Sequence, residues 1–102
     1  MFSKFSAPKL SQDQIKFKFK QIRAYSELLI SYNDQPELYN QVLNEIEPIA
    51  DELIRYAPDI TRSIQLEMIF QQKDRLLDTV DHRTTLWHLI NQAAFNGLLE
   101  LL

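Results

Sequence analysis

One glycine, Gly97, in a chain of 102 residues restricts what this sequence can fold into more than any motif it carries. Hairpin turns, bulges and barrel corners draw on glycine because it adopts positive φ without steric cost. One glycine and four prolines leave little material for the many turns of a β-sandwich or barrel. Helices joined by short connections are the alternative. With 45% hydrophobic and 25% charged residues the chain reads as folded rather than disordered. At this length one core and a single helical domain over residues 1–102 are expected.

Cysteine is absent, which excludes disulfides, thiolate metal sites and a cysteine nucleophile. A cytoplasmic location fits this. The N-terminal Met1–Leu10 interrupts its apolar residues with Lys4 and Lys9, unlike the apolar core of a secretory signal. The most apolar stretch, Leu86–Leu102, contains His88, Asn91, Gln92, Asn96 and Glu100, so no membrane partner is expected. The ending on Leu101 and Leu102 fits a whole protein or a piece of a longer one.

Four helices follow from spacing and caps. Residues 1–10 show no period and read as an arm. Ser11 and Gln14 form a capping box for helix one, whose face Ile15, Phe19, Ile22, Ser26, Leu29, Ile30 repeats every three or four residues up to about Asn33. Asp34 is the expected cap of helix two, with Pro36 in its first turn. Its seam Tyr39, Val42, Ile46, Ile49, Leu53, Tyr56 is interrupted by Pro48, which predicts a kink or, less in keeping with the unbroken apolar phase, two short helices. Pro58 and Asp59 punctuate next, and helix three is expected over about Ile60–Val80. Residues 81–84 read as a connection, and Thr84 or Thr85 as the cap of helix four, which runs to the C-terminus. The expected fold is all-α, an antiparallel four-helix bundle, or five helices if Pro48 splits the second.

Charge and apolar surface are unevenly placed. Residues 1–26 carry six basic side chains against one acid, and residues 27–59 one base against eight acids, within a net charge of −3. Opposite charges facing across a helix-one/helix-two hairpin account for this. Alternatively, Lys16, Lys20 and Arg23, at i, i+4 and i+7, form a basic stripe for nucleic acid or an acidic partner. Helix one also carries a second apolar row, Phe17, Ala24 and Leu28 with Gln21 between, near the opposite side from Phe19 and Ile22. Either helix one sits between two elements, or this row meets a partner. Helix four is apolar around most of its circumference. It is expected either at the centre of the bundle or with a face, including Trp87, Phe95, Leu98 and Leu102, that another chain covers.

The run Thr85–His88 followed by Ala93–Leu102 resembles an ankyrin unit in composition. Its paired alanines fall about three residues late for that unit, which also stacks against neighbours, so no residue role is carried over.

Chemistry is sparse. Asp74, Asp78 and His82, at i, i+4 and i+8, would line one side of a helix, but without a converging second set of ligands a solvated face is the simpler reading. No glycine-rich phosphate loop or nucleophile elbow is present. We therefore expect no cofactor, no metal and no catalysis. The sequence reads as a protein-interaction module, an adaptor, inhibitor or small regulatory subunit, binding another protein or a second copy of itself. The alternative is a nucleic-acid-associated regulator using Lys16, Lys20 and Arg23.

Overall fold

The computed structural model describes residues 9–102, all of its regular structure helical. The expected arm therefore lies almost wholly outside the described residues. Five helices follow: α1 (Gln12–Ser31), α2 (Pro36–Tyr56), α3 (Pro58–Ser63), α4 (Leu66–Gln71) and α5 (Val80–Glu100), with a 3-10 turn at Lys73–Leu76 between α4 and α5. No described helix is long and apolar enough to cross a membrane.

Helix α1 starts as its sequence dictates. The Ser11 hydroxyl accepts from the Gln14 amide at 3.1 Å and the Gln14 side chain accepts from the Ser11 amide at 2.8 Å, satisfying two otherwise orphan donors. Three other caps differ from expectation. A turn closed by the Gln35 amide on the Tyr32 carbonyl makes Gln35, not Asp34, the cap of α2, with Pro36 at its first position, where a missing N–H costs nothing. Ala57 rather than Asp59 precedes α3 for the same reason, Pro58 coming first. Thr79, with extended backbone, caps α5 by accepting from the His82 amide. Residues 81–84 thus belong to the first turns of α5 instead of forming a connection, and Thr84 and Thr85 donate to the carbonyls of Val80 and Asp81 within it.

Pro48 does not split α2, which runs through it with the proline on the exposed side. The break falls in the expected helix three, at Gln65, whose φ of 58° is left-handed. The cause is legible in the burial pattern. Ile64 and Leu66 are both buried, and residues two apart on a helix point in nearly opposite directions. Both can face the core only if the helix ends between them.

Helix α1 packs along both α2 and α5, while α3 and α4 each touch α2 and α5. Lys18 meets Glu52, and along α5 Phe19 meets Gly97, Ser26 meets Asn91 and Asn33 meets Thr84, so α1 runs antiparallel to both neighbours. The core between these elements holds Phe19, Ile22 and Leu29 of α1, Tyr39, Ile46 and Leu53 of α2, Leu66 and Phe70 of α4, and Leu86, Ile90 and Ala94 of α5. The glycine that is not used for a turn lies in this core. Gly97 is buried in α5, and a Cβ there would stand 2.6 Å from the Phe19 ring, so its lack of a side chain lets that ring lie on the α5 backbone.

Candidate protein-binding surfaces

The inward face of α1 is filled by Phe19, Ile22, Ser26 and Leu29. At ~100° per residue, Phe17, Gln21, Ala24 and Leu28 fall on the far side. Sitting between α2 and α5 does not cover them, because both neighbours touch the flanks of α1. Phe17 is 61% exposed, Leu28 is 42% exposed, and Ala24 is exposed too. Helix α1 thus lies between two elements, the first alternative, and its second row is exposed nonetheless. Phe17 edges a groove with Leu10, Gln14 and the Lys18–Glu52 ion pair, which is closed at 2.5 Å. Leu28 edges another, between α1 and α2, with Tyr25, Tyr32, Leu38 and Glu45.

Helix α5 is not surrounded. Leu86, Ile90, Ala93, Ala94 and Gly97 point into the core, and Trp87 and Leu98 pack half-buried against its edge. Phe95 and Leu99 are left exposed at i and i+4 on α5, and Leu102 is exposed just beyond its end. Leu99, 49% exposed, completes a row of which only Phe95 and Leu102 were expected as contact residues. The three-and-four spacing carried that signal, but the apolar residues all round the helix hid which side would face water. Met68 of α4 and Val80 at the start of α5 are further exposed apolar side chains that no spacing or cap singles out.

The basic stripe is divided. Lys16 and Lys20 are exposed and form no ion pair among the described residues. Arg23 is engaged with α5. Its Nε donates to Asn91 Oδ1 at 3.3 Å and its guanidinium lies 5.0 Å from the Phe95 ring centroid, a cation–π contact. The buried Ser26 hydroxyl shares its proton between the Arg23 carbonyl at 2.7 Å and Asn91 Oδ1 at 3.0 Å. The α5 row therefore begins beside the basic flank of α1, while the Phe17–Leu28 row opens toward the α2 side.

A second polar cluster ties the α1–α2 turn to the start of α5. Arg83 is buried and donates to the carbonyls of Asn33 and Leu77, each at 2.8 Å, with no carboxylate in ion-pair range among the described residues. The Tyr39 hydroxyl donates to the Arg83 carbonyl at 2.6 Å. Burial pushes the Tyr39 phenol up to about 12, against the opposing pull of the Arg83 cation and a bond from the Trp87 amide. Asn33 Oδ1 is buried without a partner. This cluster lies inside the fold and joins elements.

Asp74, Asp78 and His82 do not share a helix. Asp74 sits in the 3-10 turn, Asp78 precedes the Thr79 cap and His82 is in the first turn of α5. Asp78 Oδ1 lies 2.5 Å from His82 Nδ1, and that hydrogen bond lowers the Asp78 carboxyl from its ordinary value. Among the described residues no three metal-ligating side chains come together. Compared with protein-family models, with curated proteins and with solved structures, the chain gives no match.

Proposed function

We propose that this chain is a non-enzymatic protein-interaction module, an adaptor, inhibitor or small regulatory subunit, which binds another protein or its own copy through apolar helical faces. One observation carries the reading: two long helices whose inner faces are already filled each present a further row of large apolar side chains to water. Apolar groups aligned in this way mark contact surfaces more often than isolated ones do. The scaffold is a variant of the antiparallel four-helix bundle, in which α3, α4 and the 3-10 turn take the fourth place. That α3 and α4 each touch both α2 and α5 supports this arrangement.

The test uses Phe95→Glu/Leu99→Glu on α5 and Phe17→Glu/Leu28→Glu on α1. Each pair should keep the helical circular dichroism of the parent chain while losing a co-purifying protein or a self-associated species. A parent chain that is monomeric and brings nothing with it, or paired variants that bind as the parent does, would count against the module.

The exposure of Lys16 and Lys20 favours a second reading, contact with nucleic acid. It predicts salt-sensitive binding that weakens in Lys16→Glu/Lys20→Glu. The occupation of Arg23 by Asn91 and Phe95 leaves that stripe two residues long. Absence of binding at low salt removes this reading.

A further inference from the structure

We propose that the outer side of the α1–α5 pair binds an amphipathic helix of another protein that carries carboxylates along one edge of its apolar stripe. This rests on the reading of the exposed rows as contact surfaces and assigns the α5 row a partner chemistry. The apolar floor is Phe95 and Leu99 of α5, with Leu102 just beyond the helix.

The level of the charges beside that floor selects the partner. Arg23 touches Asn91 and Phe95, so the edge of α1 that borders the floor is the one holding Arg23. Lys20 and Lys16, three and seven residues earlier, share that edge. Across the antiparallel pair Phe19 meets Gly97 and Ser26 meets Asn91. At ~1.5 Å per residue this register sets Lys16, Lys20 and Arg23 level with the stretch from Phe95 to beyond Leu99. None of the three forms an ion pair among the described residues. The exposed acids of the same helix stand elsewhere. Glu27 lies a full turn past Arg23, level with Ile90, and Asp13 lines the groove of Phe17, Lys18 and Glu52. On the opposite flank of the floor, Gln92 Nε2 donates to Asn96 Oδ1 at 3.1 Å, and Glu100 accepts from the Ser63 hydroxyl of α3 at 2.5 Å.

Cations therefore lie on one side of the apolar floor, and neutral amides followed by an acid on the other. A helix with acids along one edge matches this division. A uniformly anionic membrane does not, since it would meet Glu100 as well. Nor does a second copy supply such a helix. Acidic α2 presents no large exposed apolar side chain among the described residues, and the outer row of α1 is edged by the same lysines. Arg23 is already held over the Phe95 ring, so a carboxylate that meets it finds a cation needing little further ordering. The turn to acid at Glu27 confines the complementary carboxylates to about two helical turns.

The experiment selects binders to the full chain from a phage-displayed library of helix-forming peptides and measures the selected peptides in solution by fluorescence anisotropy. They should share apolar residues at three-and-four spacing with carboxylates on one edge over about two turns. Binding should weaken by roughly tenfold in Lys16→Glu/Lys20→Glu, fall as salt rises, and vanish in Phe95→Glu/Leu99→Glu, with the helical circular dichroism of the parent in both. Selected peptides without the acidic edge, or indifferent to the lysine reversal, overturn the assignment, as does a library that yields no binder. Binding to phosphatidylserine vesicles without binding to peptides overturns it in favour of a membrane. Peptides lost only in Phe17→Glu/Leu28→Glu overturn it too, while leaving the interaction-module reading intact.

Discussion

Gly97 sits where a helix least tolerates glycine, at about 1 kcal/mol less favourable than alanine, and Phe19 explains its presence. In Gly97→Ala the added methyl would meet three ring carbons of Phe19 at 2.6–2.8 Å. Overpacking of this kind costs about 1–3 kcal/mol, more than the gain in helix propensity, so denaturant unfolding should show a less stable chain. Shrinking the ring by Phe19→Leu in the same chain should recover part of the loss. The sequence marked Phe19 as core but not Gly97 as its seat, because periodicity reports which side a residue faces and not how deep the opposite ring reaches. Tyr39 gives a prediction in pH. Its folded value of about 12 lies above the ordinary 10.0, so the folded chain holds a proton that the unfolded chain releases first. That contribution is fully present below pH 10 and is lost as the pH rises toward 12, by roughly 2–3 kcal/mol at most. Unfolding free energy followed through this window should fall in the parent and fall less steeply in Tyr39→Phe.

Among the elements, the long helices were legible and the broken segment was not. The capping box at Ser11, the α1 face and most of the α2 seam stand where the spacing put them. Pro48 was read as a kink or, less in keeping with the apolar phase, a split; the split does not occur, since α2 continues through the proline, which lies on its exposed side. Ile64 and Leu66, both apolar and two apart, were the warning that a single helix could not run from Ile60 to Val80. The α3–α4 joint concentrates strain at Gln65, where an L-residue in left-handed backbone costs on the order of 1 kcal/mol. Gln65→Gly should raise the unfolding temperature, whereas Gln65→Val, stiffer at Cβ, should lower it. Equal unfolding temperatures in parent and both variants would show that the joint is not strained.

At the scale of the whole molecule, a chain with one glycine and no cysteine folds into helices that bury one side of α1 and α5 and leave apolar rows on the other. Most of the surface now proposed for binding was visible as a second row on α1. The α5 row was visible only in part, since composition showed excess apolar surface without saying which third of the helix the core would take. The division of charge into a basic first helix and an acidic second one was also plain in the sequence. That Lys18 closes on Glu52 while Lys16, Lys20 and Glu45 stay open depends on the packing angle of two helices, which spacing does not encode. A binding role for the outer row of α1 requires Phe17 and Leu28 to lie outside the core. Thermal unfolding of Phe17→Glu/Leu28→Glu, followed by circular dichroism, tests this most directly. Full helical signal at room temperature and a cooperative transition are predicted; a chain that loses its helical signal or melts without cooperativity would place these side chains in the core and contradict the account.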